Sequence, residues 1–172
     1  MALCGTVPQG VDAGFYADIA RRARGHVLVV DACRDIGPTL ETGLVDVLKI
    51  NRDEILELTG EGRVAAAAAR LRRAYGIASV AVTAGGGAAE FHGTDGAWTC
   101  RLPPPPAPVV NPLGAGDTAT GVMVSKLAAG AAHLEAFRWG LAAATASCLH
   151  LGGACFDIDQ ARALYAGIEL TR

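Results

Sequence analysis

Residues 111–121, Asn-Pro-Leu-Gly-Ala-Gly-Asp-Thr-Ala-Thr-Gly, set small residues and one carboxylate at the opening of an apolar stretch. The segment follows Pro108-Val109-Val110, which reads as strand-like, and the pattern predicts a helix over about 114–129. The first N–H groups of a helix have no intrahelical acceptor. Those of Gly114, Ala115 and Gly116 would therefore form a nest for an anion. Small side chains let an anionic group come close, and the helix dipole favours negative charge there. Asp117 falls in the same first turn. An amide nest that steadies phosphate charge, beside a carboxylate that takes a hydroxyl proton, suits phosphoryl transfer. The same residues also describe a tight strand-to-helix turn with a solvated aspartate.

Such a turn needs a scaffold, and the rest of the chain alternates strand and helix patterns. A helix is expected over 12–24, with Phe15, Ile19 and nearby alanines on one face. A strand over 26–32 contains Val27-Leu28-Val29-Val30, the unbroken run of a parallel strand buried on both faces. A short helix over 40–44 and a strand over 45–50 follow. Asn51 starts a helix with Glu54 three residues on, a capping-box spacing. Residues 64–74 are helical by composition. A strand over 78–83 opens into Ala84-Gly85-Gly86-Gly87-Ala88, and 89–92 and 98–102 read as two short antiparallel strands. After the stiff Pro103–Pro106 run come helices over 114–129, 134–150 and 157–169. This alternation predicts an α/β layer fold with a mostly parallel sheet. Ligands in such sheets gather beyond the carboxyl ends of the strands, where Asp31, Asn51, Thr83 and the 114–117 turn are expected.

Composition narrows the class. The chain has 172 residues, 51% apolar and 19% charged, within the range of one folded domain. A net charge of −2, from 15 basic and 17 acidic side chains, recommends neither nucleic acid nor an anionic membrane as partner. No N-terminal stretch has signal-peptide organisation, and the alanine-rich runs 64–69 and 141–146 are too short to span a bilayer. The five cysteines show no C-x-x-C, which predicts reduced, mostly packed thiols and a cytoplasmic chain. The histidines lack zinc-ligand spacing. Neither a G-x-x-x-x-G-K-[ST] loop nor G-x-G-x-x-G is present. Asn51 and Glu54 are explained by helix capping as well as by ligation, and Asp31 by strand termination as well as by a substrate contact.

Together these residues resemble the ribokinase-like carbohydrate kinases of the PfkB family, in particular the branch with 1-phosphofructokinase and tagatose-6-phosphate kinase. Asn111–Thr118 matches the C-terminal signature of that family, Lys49–Glu54 resembles its K-P-N-x-x-E segment, and Cys4–Gly10 resembles its S-G-S-L-P-x-G loop. Val27–Asp31 matches its strand ending in aspartate. Ile50 replaces the usual proline, Ala84 stands where leucine is common, and Ala88 replaces a glycine.

The resemblance implies a three-layer αβα fold, of which this chain covers the C-terminal half without the early strands and β-lid. It implies ATP and Mg²⁺, Asp117 as catalytic base, and the amides of Gly114, Ala115 and Gly116 as anion hole. Thr83, Gly85, Asn111 and Ser147 would lie by the nucleotide, Asp31 by the sugar phosphate, and Asn51 and Glu54 by hydrated Mg²⁺. Activity on a sugar or sugar phosphate and a nucleotide-binding remnant, or subunit of a split kinase, are both open on this basis. So is a missing N-terminal portion, since family members are longer, and self-association, because the missing strands would leave apolar sheet edges exposed.

Overall fold

The computed structural model describes residues 1–172. The elements in chain order are β1 (Ala2–Cys4), α1 (Phe15–Arg22), β2 (Val29–Asp31), α2 (Gly37–Leu40), β3 (Val47–Asn51), α3 (Arg52–Thr59) and α4 (Val64–Tyr75). They continue with β4 (Ser79–Thr83), β5 (Ala89–Gly93), β6 (Gly96–Arg101), α5 (Ala115–Ala128), α6 (His133–Ser147), α7 (Ile158–Ala166) and β7 (Glu169–Thr171). The sheet has seven strands in the order β1 to β7. Its first four run parallel, with Asp31 opposite Lys49 and Asn51 opposite Thr83. Parallel neighbours need crossovers, which the intervening helices supply. β5 is antiparallel to β4, and β7 to β6. The result is a mixed α/β fold, mostly parallel in its first part, as the strand–helix alternation predicts. The chain divides into two compact units, Met1–Trp98 and Thr99–Arg172.

In the first unit, Val29, Val30, Val47, Leu48, Val80 and Ala81 are each at most 1% exposed. Consecutive strand residues point to opposite faces, so these strands are buried on both. Leu3, Ala20, Ile36, Ile55 and Leu71 join Val30, Leu48 and Val80 in one core cluster. Burying each large aliphatic side chain contributes about 1.5–3 kcal/mol. Loops at the carboxyl ends of β2, β3 and β4 are thus carried on rigid strands.

Several expected boundaries move for local reasons. β1 is a three-residue strand paired with β2. α1 starts at Phe15, because Asp12 instead closes a turn: its carboxylate takes the Gly14 N–H at 2.7 Å. Phe15 is 46% exposed, and the buried face consists of Ala17 and Ala20. β2 is shorter than 26–32, since the His26 N–H goes to the Ala23 carbonyl and the Leu28 N–H to the Asp46 carboxylate. α2 lies earlier than 40–44 and has Pro38 in its first turn, where a missing N–H costs nothing.

In the second unit α5, α6 and α7 pack around Met123, Phe137, Ala143 and Leu164. α5 and α6 meet closely at Gly140, where a Cβ would stand 2.6 Å from the Ala119 carbonyl oxygen. Trp139 and Tyr165 stack with ring centroids 4.2 Å apart, and the Lys126 ammonium lies 4.1 Å from the Trp139 ring. Three expectations fail here. Pro108–Val110 is not a strand: the neighbouring prolines remove ladder donors, and Val109 and Val110 are 56% and 51% exposed. α6 stops at Ser147 rather than 150, and α7 stops at Ala166 rather than 169. Gly167 ends α7, after which Glu169–Thr171 returns as a strand beside β6.

None of the five cysteines forms a disulfide, but only Cys100 is buried; Cys4 and Cys155 are exposed, which corrects the expectation of mostly packed cysteines. Burial pushes the Cys100 thiol up to about 11. No helix is long and apolar enough to cross a membrane.

Candidate active site

In the first unit, the carboxyl ends of β2, β3 and β4 bring Asp31, Asn51, Glu54 and Thr83 to one end of the parallel strands. Asn51 caps α3 in extended conformation, as its spacing predicts. Its Oδ1 accepts the Glu54 N–H at 2.9 Å, and the Asn51 N–H donates to Glu54 Oε2 at 3.0 Å. Two otherwise unpaired donors at the helix start are satisfied reciprocally. The box leaves one Glu54 carboxylate oxygen outside it. Burial, followed by the negative charge of Glu54, pushes the nearby Cys33 thiol up from its ordinary value.

Asp31 receives the Lys49 ammonium at 2.9 Å, their side chains being 19% and 6% exposed. The Lys49 role escaped sequence reasoning, although a signal existed: a lysine between Leu48 and Ile50 in a fully buried strand requires a partner. Thr83, the last residue of β4, is half-buried opposite Asn51. Gly85 follows in an exposed loop at φ +55°, and the Gly87 N–H closes a turn onto the Ala84 carbonyl at 2.8 Å. Arg52, adjacent to Asn51, binds Glu90 at 2.9 Å, and Glu90 reaches His92 Nε2 at 3.3 Å.

In the second unit, the turn before α5 is built on Gly114, the helix cap, at φ +81°. A side chain there would be strained, and its Cβ would lie 3.1 Å from the Ala154 nitrogen. The first helical bond runs from the Thr118 N–H to the Gly114 carbonyl at 2.9 Å. The N–H groups of Gly116 and Asp117 therefore precede the ladder with no acceptor within the helix. The expected set changes at one member, since the Ala115 N–H is held by the Pro112 carbonyl at 3.2 Å. Thr118 and Thr120 are buried, and their hydroxyls donate to the Gly114 and Gly116 carbonyls at 2.8 and 3.1 Å, fixing this turn. Asp117 is exposed, with no ion pair tying its carboxylate down.

The other two residues expected near nucleotide in this unit are engaged internally. Asn111 Nδ2 donates to the Leu151 carbonyl at 2.9 Å, and its Oδ1 accepts the Leu113 N–H at 3.0 Å. Ser147 is 2% exposed and its hydroxyl donates to the Ala144 carbonyl at 2.8 Å. The nest does not follow a sheet strand: Asp31, Asn51 and Thr83 stand at strand ends, whereas Gly114–Asp117 emerges from an irregular segment. The Val110 and Asn111 N–H groups are instead anchored on the Cys148 carbonyl, at 2.7 and 3.1 Å. A backbone anchor of this kind has no sequence signature.

With this geometry in place, similarity to known proteins is informative. The family described as pfkB family carbohydrate kinase matches residues 2–159. The chain is 28% identical over 174 aligned residues to ATP-dependent 6-phosphofructokinase isozyme 2 of Escherichia coli (strain K12), covering 96% of this chain and 56% of that protein. It is 36% identical over 127 residues to 1-phosphofructokinase of Rhodobacter capsulatus, covering 68% of this chain and 38% of that one. The crystal structure of phosphofructokinase-2 from Escherichia coli in complex with potassium superposes with a TM-score of 0.85 at 25% identity, over 96% of this chain and 55% of the other. The chain thus spans about half the length of the first of these relatives.

Proposed function

The chain belongs to the pfkB family of carbohydrate kinases, and from that premise we propose that it transfers a phosphoryl group from ATP to a hydroxyl of a sugar or sugar phosphate, as phosphofructokinases or tagatose-6-phosphate kinases do. The observation that carries this reading is Asp117, exposed in the first turn of α5 beside N–H groups that have no helical acceptor. In the proposed step Asp117 accepts the proton of the acceptor hydroxyl. The hydroxyl oxygen forms a bond to the γ-phosphorus as the bond to the β,γ-bridging oxygen breaks, and ADP leaves with that electron pair. The Gly114 and Gly116 amides stabilise the charge on the transferring group, joined by the Asp117 amide. The Ala115 N–H, held by the Pro112 carbonyl, steadies the turn that presents them.

Oxygen donors at the start of α3 fit a hydrated Mg²⁺, a hard cation that keeps part of its water shell. Asn51 and Glu54 would hold it through water, using the Glu54 oxygen that the capping box leaves over. When bound, Mg²⁺ neutralises phosphate charge. Thr83 and Gly85 are assigned to the nucleotide, Asp31 to the phosphosugar side, and the helix containing Ser147 to packing beside the nucleotide.

Asp117→Asn keeps the shape of the turn and removes the base. Expected is a loss of about 10²–10⁴-fold in phosphorylation rate, with ATP affinity nearly unchanged in a binding titration. Undiminished turnover in that variant would remove Asp117 from the role. A second reading, a nucleotide-binding remnant or a subunit that needs another polypeptide, is favoured by the half-length match to the relatives. It predicts ATP binding without turnover by the wild-type chain.

A further inference from the structure

We propose that Asn111 is a positioning residue for the amide nest rather than a contact to nucleotide, an inference that rests on the phosphoryl-transfer reading of Asp117. Both ends of its side chain are occupied inside the protein. Oδ1 accepts the Leu113 N–H at 3.0 Å, and Nδ2 donates to the Leu151 carbonyl at 2.9 Å. Each atom keeps one further hydrogen-bonding position, but the two bonds formed turn the amide toward the protein and fix its orientation there, as a positioning role requires.

What these bonds hold together is the turn before α5 and the loop that follows α6. The Cys148 carbonyl takes the Val110 and Asn111 N–H groups, so the backbone and the side chain of Asn111 reach the same loop. Further along that loop the approach is close. Cβ atoms built on Gly114 and Gly153 would stand 3.1 Å from the Ala154 nitrogen and 3.3 Å from the Leu113 carbonyl oxygen. Ala154 itself takes a left-handed conformation at φ +57°, unusual for a residue with a Cβ. The order of restraint then runs from Leu151 to Asn111, from Asn111 to Leu113, and from Pro112 to the Ala115 N–H, ending at the two N–H groups of Gly116 and Asp117. Asn111 fixes the direction of those N–H groups before any anion arrives, and such preorganisation is what gives a nest its strength.

The test compares wild type, Asn111→Ala and Asn111→Ser in the 172-residue chain, with inorganic phosphate and ATP as probes. Amide exchange and resonance shifts at Leu113, Gly116 and Asp117 are followed by NMR. In Asn111→Ala, Leu113 exchange accelerates about tenfold, and phosphate and ATP affinities fall by a common factor of about ten, the loss of one net hydrogen bond. Asn111→Ser restores part of the Leu113 protection, because a hydroxyl accepts from the N–H two residues on but is too short for Leu151. ATP affinity that falls while phosphate affinity stays would overturn the proposal and make Asn111 a nucleotide contact. Unchanged Leu113 exchange in both variants would also overturn it. If the wild type binds neither probe, the phosphoryl-transfer reading fails, and Leu113 exchange alone decides the positioning role.

Discussion

At the scale of residues, the first unit pairs the charged groups that it draws toward its interior. Lys49 rests against Asp31, and Glu90 is shared between Arg52 and His92. His92 is 8% exposed, and burial, opposed by the Glu90 charge, lowers its pKa from 6.5. The folded protein thus prefers neutral imidazole more than the unfolded chain does. Between the two pKa values the unfolded chain binds more protons, so stability is fully present above pH 6.5 and declines as pH falls through the lowered value. Denaturant midpoints measured between pH 7.5 and 5 should fall for the wild type and fall less for His92→Gln. Equal slopes in both proteins would show that His92 does not carry the effect. Individual residues differ in how far a sequence exposes them. Asn51, Glu54 and Asp117 were legible, because capping spacing and a small-residue turn are local patterns. The Asp31–Lys49 pair was not, since it depends on which strands lie side by side.

Among the elements, α5 and α6 decide how well the nest is held. They meet closely at Gly140, and any side chain there meets the Ala119 carbonyl, two residues beyond Asp117. Gly140→Ala gains about 1 kcal/mol of helix propensity but forces the helices apart, a strain of about 1–3 kcal/mol. A lower melting temperature is expected, together with weaker ATP binding if the first turn of α5 shifts with its helix. A melting temperature at or above that of wild type would mean that the two helices separate at no cost. The same contrast explains what the sequence revealed of the fold. β2, β3 and β4 announce themselves as runs of buried aliphatics, and α3 announces its start through Asn51 and Glu54. β7 has three residues and exists because β6 offers it a ladder. Residues 108–110 look like a strand by side chain, yet the Val110 N–H donates to the Cys148 carbonyl at the end of α6.

For the molecule as a whole, the two units carry different parts of the proposed chemistry, and the chain corresponds to about half of its phosphofructokinase relative. Near the nest, Leu113 and Leu151 are 76% and 85% exposed, and Val109 and Val110 are also open. Phosphoryl transfer to a sugar competes with transfer to water, and orientation of the acceptor hydroxyl supplies much of the rate. Aliphatic side chains this open do not by themselves hold a polar acceptor or shield it. The proposed ATP contacts all lie within the chain, whereas turnover needs an oriented hydroxyl as well. The chain alone should therefore bind ATP but phosphorylate fructose 1-phosphate, fructose 6-phosphate and tagatose 6-phosphate at least about 10²-fold more slowly than a full-length family member, the scale of loss for a misplaced reactant. Coupled assays of ADP release with each sugar phosphate, beside an ATP titration, separate the two quantities. Turnover matching the full-length enzyme on any of the three would show that these 172 residues enclose the acceptor unaided, and the subunit reading would fall.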